Sequence, residues 1–360
     1  MNRSIVLFYK FCNILLNMIP SIEWTDNKVK MIDQTVLPHV LEFLEFENYR
    51  DVATSIKVMN IRGAPAIGVA AAMGMALATI EYRDLPKNEF LKEMEKAANL
   101  IRSTRPTASN LFWAINRIWE IISTYPDNPK NLSELVIEEA KLMAQEDIHV
   151  NKNIGKNGAL LLEDGDVVLT HCNAGSLATV QYGTALAPVR AAIETGKNIS
   201  VIADETRPRL QGARLTAYEL HYDKIPVKVI SDTSSGLLMR LGKIDKVIVG
   251  TDRVTSDAVF NKIGTYLVAL AAKDNNIPFY VAAPTSTLSL NETIDDVEIE
   301  QRDSSEVSNV LGKVRIVPEG VECLNYAFDI TPFHLVTGVI TEDGVFNHEE
   351  LLKKYRNQKS

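Results

Sequence analysis

From residue 164 onward, short β-branched runs recur between helical stretches, and this alternation constrains the fold more than any other feature. The runs are Val167-Val168-Leu169-Thr170, Ile199-Ser200-Val201-Ile202, Val227-Lys228-Val229-Ile230, Val247-Ile248-Val249 and Phe279-Tyr280-Val281. Alternation of this kind is the signature of βαβ units and a parallel sheet. Earlier in the chain the texture is helical. Apolar residues recur at helical spacing over 64–81, 86–103, 108–122 and 131–150, with a Pro/Asp/Asn turn at Ser123–Lys130. The expected fold is α/β, with a mainly helical N-terminal lobe followed by a Rossmann-like parallel-sheet domain. The expected boundaries are 1–19 for an N-terminal extension, 20–150 for the helical domain with short strands at its start, 151–350 for the Rossmann-like domain and 351–360 for a polar tail.

Polar and reactive side chains follow each run. The first leads into His171-Cys172-Asn173-Ala174-Gly175, the second into Asp204-Glu205-Thr206-Arg207-Pro208-Arg209-Leu210-Gln211-Gly212, and the third into Ser231-Asp232-Thr233. The fourth leads into Gly250-Thr251-Asp252-Arg253 and the fifth into Ala282-Ala283-Pro284-Thr285-Ser286. Open α/β sheets bind their ligands at the carboxyl ends of the strands, so these segments are expected to share one site.

Two residues carry the chemistry in that reading. A free cysteine is usually a small buried hydrophobe. Cys172, however, sits at a strand end before Ala174, Gly175 and Ser176, where a helix starting there would aim its N-terminal dipole at the thiol. Asp252 is either an N-cap of the next helix or a carboxyl held in an apolar pocket as a general acid. A second proton-transfer group from another strand favours the acid. Anion recognition has its own candidates. Arg62-Gly63-Ala64-Pro65 opens a helix with free backbone N–H groups beside a cation, Thr104-Arg105-Pro106-Thr107 repeats the device, and Asn261-Lys262 leads into Ile263-Gly264-Thr265. Together they suggest a phosphate met locally by cations.

Composition excludes several other classes. Acidic residues number 46 against 38 basic ones, a net charge of −8, which disfavours nucleic acid as a partner. Cys12, Cys172 and Cys323 are odd in number and far apart, which argues for a reducing, cytoplasmic compartment over a disulfide framework. There is no C-x-x-C, H-E-x-x-H, G-x-G-x-x-G, G-K-[ST] or G-x-S-x-G. The apolar stretch at residues 4–19 is broken by Lys10, Asn13 and Asn17 and ends at Pro20. It is too short to span a bilayer and ill-suited to signal cleavage, so no membrane is expected, and Met18 is a candidate initiator.

The motifs also carry a family resemblance. Arg62–Gly68 (RGAPAIG), Arg105–Asn110 (RPTASN), Thr170–Gly175 (THCNAG), Asp204–Leu215 (DETRPRLQGARL), Gly250–Arg253, Asn261–Tyr266 (NKIGTY), Pro278–Thr287 and Ala327–Pro332 occur in that order. The chain resembles, from about Ile22 to Val345, the methylthioribose-1-phosphate isomerases of methionine salvage, relatives of the regulatory subunits of a translation initiation exchange factor. The resemblance implies Cys172 and Asp252 as the catalytic pair. It implies that Arg62, Gly63, Ala64, Arg105, Gln211, Asn261 and Lys262 hold a small sugar phosphate. It further implies a homodimer, with neither metal nor organic cofactor. The alternatives within the family act on ribose 1,5-bisphosphate or 5-deoxyribose 1-phosphate, and a non-catalytic regulatory subunit is the alternative from another class. Three departures from the family pattern are expected near the site: a segment between Asp252 and Asn261 that is one residue short, Ser234-Ser235 in place of Met-Ala, and Gln181 in place of glycine.

Overall fold

A computed structural model describes residues 18–105, 108–126 and 129–356. The chain begins with an antiparallel meander of β1 (Ile22–Thr25), β2 (Lys28–Ile32) and β3 (Phe43–Phe46). Five helices follow: α1 (Tyr49–Val58), α2 (Ala64–Tyr82), α3 (Lys87–Arg102), α4 (Ser109–Thr124) and α5 (Pro129–Ala159). Helix α2 explains this lobe. It is apolar all round, and a helix of that kind has to be enclosed. Residues 66–79 of α2 are all buried, packed by α1, α3, α4 and α5. It is the one described helix long and apolar enough to cross a membrane, and here it is the core of the lobe. Helix α5 passes unbroken through position 150 and packs against α2 in one lobe and α6 in the next.

The second lobe contains β4 (Val167–Thr170), α6 (Ala187–Glu194), β5 (Ser200–Asp204), α7 (Ala217–Tyr222), β6 (Val227–Ile230), α8 (Ser235–Arg240) and β7 (Lys246–Val249). Then come β8 (Arg253–Val254), β9 (Ala258–Lys262), α9 (Thr265–Asp274), β10 (Phe279–Ala282) and α10 (Ser305–Ser308). The short β11 (Asn309–Val310) and β12 (Val314–Arg315) lead to β13 (Phe328–Pro332), β14 (Gly338–Thr341), β15 (Gly344–Phe346) and α11 (His348–Tyr355). The main sheet has the order β15-β14-β10-β7-β4-β5-β6, parallel except for the antiparallel edge strand β15. All five strands anticipated from the sequence are in it, and β14 and β15 join them.

Alternation along these strands feeds two cores. Leu169, Val247, Val249 and Val281 face α8, α9 and α11. Val168, Val201, Ile248 and Ile340 face α5 and α6. A parallel sheet covered on both faces leaves no solvated side, which is why its strands read as continuous apolar runs.

Counting parallel strands in chain order, the arrangement is 3-2-1-4-5-6, with the reversal between β4 and β7. That crevice is where a doubly wound sheet opens to a ligand. A small antiparallel sheet, β13-β9-β8, stands beside it, with Asn261 paired to Asp329 and Lys262 to Phe328.

The ends of the chain depart from the sequence reading. Residues 351–355 are not a polar tail but the last turn of α11, because Leu351 and Tyr355 are buried and the Tyr355 hydroxyl donates to Asp343 at 2.8 Å. Residues 1–17, with Cys12, lie outside the described residues. Met18 packs against the core around Ile154, and its carbonyl accepts from Gln181 Nε2 at 3.0 Å.

Candidate active site

A cavity of about 630 Å³ opens at the carboxyl end of the sheet, between the β4 and β7 ends and the N-termini of α2 and α4. Cys172, Asp252, Arg62, Gly63, Ala64, Arg105, Gln211, Asn261 and Lys262 all line it. Nine positions spread over two hundred residues of chain are thus brought to one crevice. Cys172 follows β4 and Asp252 follows β7, the two strands that flank the switch point.

Cys172 is held in an unusual backbone state. Its φ is +66°, a left-handed conformation that costs a non-glycine residue energy and persists only when its surroundings impose it. Two threonines impose it. The Cys172 N–H donates to Thr206 Oγ1 at 2.9 Å, and its carbonyl accepts from Thr216 Oγ1 at 2.8 Å. Thr206 is itself left-handed, at φ +64°, and its N–H donates to Asp232 at 2.7 Å. The loops after β5 and β6 therefore brace the thiol's backbone.

Asp252 is exposed to the open cavity, with the cavity wall packed densely around it. Desolvation by that surrounding protein raises its carboxyl above the ordinary range, against the opposing pull of Lys262, Arg62 and Arg105. Its own N–H donates to Phe260 O at 2.9 Å, which ties the β7 end to β9. Lys262 is buried, and burial lowers its pKa although Cys172 and Asp252 oppose this. Its ammonium donates to Ala327 O at 2.7 Å and lies 4.8 Å from the Phe328 ring centre.

Two helix N-termini open on the cavity. At α2, Gly63 adopts φ +92°, and a Cβ there would collide with the Ala178 backbone, so only glycine admits this approach. Neither Gly63 nor Ala108 supplies a side-chain cap, so among the described residues the earliest N–H groups of α2 and α4 are left to a ligand. Pro106 and Thr107 lie outside the described residues. The third anticipated cradle differs. The N-terminus of α9 is filled by Asp329, which accepts from Gly264 N at 2.7 Å and Tyr266 N at 3.1 Å. Asn261 and Lys262 therefore offer the cavity their side chains in place of that helix end.

Other expectations change as well. The segment after β6 does not line the cavity: Asp232 braces the β5 loop instead, accepting from Thr206 N and Arg207 N. Gln181, Ser234 and Ser235 do not line it either. Gln181 holds Met18, and Ser234 Oγ pairs with Ser231 Oγ at 2.8 Å. The short segment after Asp252 is a tight turn of the β8–β9 hairpin, closed by Thr255 N to Ala258 O at 2.9 Å.

Arg209, Arg253, Arg302 and Glu300 also line the cavity. Arg209 and Arg253 belong to strand-end segments expected at the site but given no role there, whereas Arg302 and Glu300 escaped the sequence reading. Arg209 pairs with Glu306 at 2.6 Å, Arg253 with Glu292 at 2.8 Å, and Arg302 with Glu300 at 3.4 Å. Arg62 and Arg105, by contrast, form no ion pair among the described residues. Gln211 is 5% exposed and its Oε1 is buried without a partner, an acceptor available to a ligand hydroxyl.

One further cluster, His171, Asp204 and Asp232, brings possible metal ligand atoms within 4.8 Å of one another. Most of its ligand atoms are already engaged, and of them only Asp204 Oδ1 is without a partner among the described residues. His171 Nδ1 meets Asp204 Oδ2 at 2.9 Å, His171 Nε2 meets Ile263 O at 2.8 Å, and both Asp232 oxygens accept backbone N–H groups. Burial works to lower the His171 pKa, but Asp204 raises it overall.

Comparisons with known proteins place this chain in a family. The methylthioribose-1-phosphate isomerase of Thermosipho africanus is 54% identical over 338 residues, covering 93% of this chain and 97% of its own. The putative methylthioribose-1-phosphate isomerase of Methanocaldococcus jannaschii is 53% identical over 338 residues, covering 92% and 97%. The crystal structure of 5-methylthioribose 1-phosphate isomerase from Pyrococcus horikoshii superimposes with a TM-score of 0.90 at 40% identity, covering 95% of this chain and 97% of that one. A crystal structure from A. fulgidus, described as translation initiation factor eIF-2B, subunit delta, gives a TM-score of 0.86 at 48% identity over 93% and 98%. The Initiation factor 2 subunit family matches residues 60–348, and the chain belongs to that family.

Proposed function

We propose that this protein is an aldose–ketose isomerase that converts 5-methylthioribose 1-phosphate to 5-methylthioribulose 1-phosphate in methionine salvage. The observation that carries the reading is the placing of Cys172 and Asp252 at the two strand ends that flank the switch point, inside a cavity onto which two open helix N-termini face. The substrate's phosphate blocks its anomeric oxygen, so the ring cannot open by itself to an aldehyde. Opening requires cleavage of the bond between C1 and the ring oxygen, with a proton delivered to that oxygen. Asp252, whose carboxyl burial keeps protonated to higher pH, is the group for that delivery. Cys172 then stands at C1–C2, where hydrogen moves from C2 to C1. Arg62 with the α2 N-terminus and Arg105 with the α4 N-terminus hold the phosphate, and Gln211, Asn261 and Lys262 orient the sugar.

The rest of the wall favours an apolar 5-substituent. Met59, Ile67, Ala108 and Phe112 supply apolar surface from the helical lobe. A 5-phosphate would need a second free cation site, and Arg209, Arg253 and Arg302 are already paired with carboxylates. Assayed side by side, 5-methylthioribose 1-phosphate should give the highest kcat/KM, ahead of 5-deoxyribose 1-phosphate and ribose 1,5-bisphosphate. Turnover of the bisphosphate alone would move the substrate reading, and turnover of none would favour a regulatory subunit.

The assembly is read as a homodimer. Leu237 on α8, Leu241 at its C-cap, and Leu267 and Leu270 on α9, a helix packed on α8, are exposed side chains that a second copy would cover. Cys172 and Cys323 are free thiols, in keeping with a reducing cytoplasm. Cys172 lines the cavity and Cys323 does not, so iodoacetamide inactivation should track Cys172, and substrate should slow it. Peptide mapping decides this, and inactivation that follows Cys323 would displace the site.

A further inference from the structure

Behind the cavity wall lies a buried charge network that the isomerase chemistry does not use. Arg190, fully buried in α6, donates to Asp223 Oδ2 at 2.6 Å, to Glu219 Oε2 at 2.8 Å and to Tyr182 O at 2.7 Å. Glu219, 4% exposed, also accepts from Ser176 N at 2.7 Å and Ser176 Oγ at 2.9 Å. Its other oxygen, Oε1, accepts from Asn173 Nδ2 at 2.6 Å. Asn173 in turn accepts from Arg62 twice, Nη1 to Oδ1 at 2.7 Å and Nη2 to the carbonyl at 3.0 Å. Buried ion pairs seldom add net stability, so one that leads by consecutive hydrogen bonds to a wall arginine points to another role.

We infer that Glu219 is a positioning residue that aims the Arg62 guanidinium into the cavity by fixing which way the Asn173 amide points. The inference rests on the reading of Arg62 as a phosphate ligand. An amide can present either its oxygen or its nitrogen to a neighbour, and only its surroundings choose. A carboxylate accepts and never donates, so Glu219 admits only Asn173 Nδ2. That leaves Oδ1 for Arg62, which can only donate. Thr216 Oγ1 accepts from the same Nδ2 at 3.2 Å and so favours the same orientation. Arg190 holds the Glu219 carboxylate in place, and Gly175 lets it come close, since a Cβ at that glycine would collide with the carboxylate.

The decisive substitution is Glu219→Gln, which keeps shape and reverses polarity at one atom. With its amide oxygen on Ser176 and Arg190, the glutamine must turn its NH2 toward Asn173. The Asn173 amide then flips and presents donors to Arg62, which is itself all donors. The expected result is a KM for 5-methylthioribose 1-phosphate raised roughly ten-fold, with kcat lowered less than about three-fold. The readout that separates positioning from general damage is the combination with Arg62→Ala. In that background Glu219→Gln should change KM less than about two-fold, since the two act along one chain of contacts.

A KM rise of equal size in both backgrounds would overturn the inference. So would a lowered melting temperature with KM unchanged. Asn173→Ala removes the middle of the relay and decides the matter if the glutamine variant does not fold. It should raise KM in the wild-type background and add nothing to Arg62→Ala, and any other pattern rejects the relay. If Arg62→Ala alone leaves KM unchanged, the phosphate reading fails. If it raises KM while Glu219→Gln and Asn173→Ala do not, only the relay fails.

Discussion

Cys172→Ser and Asp252→Asn should each lower kcat by about 10²–10⁴-fold, the usual cost of losing one proton-transfer group, while the fold and substrate binding persist. Among the described residues neither side chain carries a hydrogen bond on which the fold depends: the backbone of Cys172 is clamped by Thr206 and Thr216, and Asp252 is tied to β9 through its N–H. Near-native turnover in either variant would remove that residue from the mechanism. Asp252 adds a pH signature. Its carboxyl titrates above the ordinary range because burial outweighs the cations near it, so the acid form is lost, and kcat/KM falls, as pH rises through that raised value. The same shift has a consequence for stability. Below the ordinary carboxyl pKa the group is protonated whether the chain is folded or not, and the wild type and Asp252→Asn should melt alike. As pH rises, the unfolded chain ionises first and the folded state is disfavoured relative to it, so the asparagine variant becomes the more stable of the two. Thermal melts across pH test the sign, and a wild type that gains on the variant with rising pH would show that the cations win over burial.

Much of this architecture can be read in the sequence, and the parts that cannot share a physical cause. The strands around the switch point are buried on both faces, so Val167–Thr170 and Val247–Val249 announce themselves as apolar runs. Strand β14, Gly-Val-Ile-Thr, is as buried and as long, but it opens on glycine and holds only two adjacent apolar residues, so nothing local separates it from a loop. The pairing of β9 with β13 joins Asn261 to Asp329, and so distant a partner leaves no periodic trace. The same holds at the site. Cys172 and Asp252 are visible because each ends its own strand. The Arg62 and Arg105 entries are visible because glycine or proline marks a helix start. Arg302 and Glu300 reach the cavity from an irregular stretch and carry no such mark. Nor can sequence show that Asp329 fills the α9 N-terminus, since that carboxylate arrives from another strand.

Arg62→Ala and Arg105→Ala should each raise KM by about 10–100-fold, the worth of a hydrogen bond to a charged group, with a smaller loss in kcat. The reason lies in what the two arginines do in the resting site. Both stand beside an uncapped helix N-terminus, and neither pairs its charge with a carboxylate among the described residues. Burial and the nearby Arg302 push the Arg105 pKa down, the strain expected of a cation held ready for an anion. The phosphate is present in substrate, transition state and product alike, so its contacts bind all three and appear mainly in KM. The α2 and α4 N–H groups remain in either variant, which is why binding should weaken and not vanish. A loss confined to kcat would instead mean that the guanidinium meets charge that develops only as the ring opens. In that case the arginine would belong with Asp252 at the ring oxygen, and the phosphate would be held by the helix ends and Lys262.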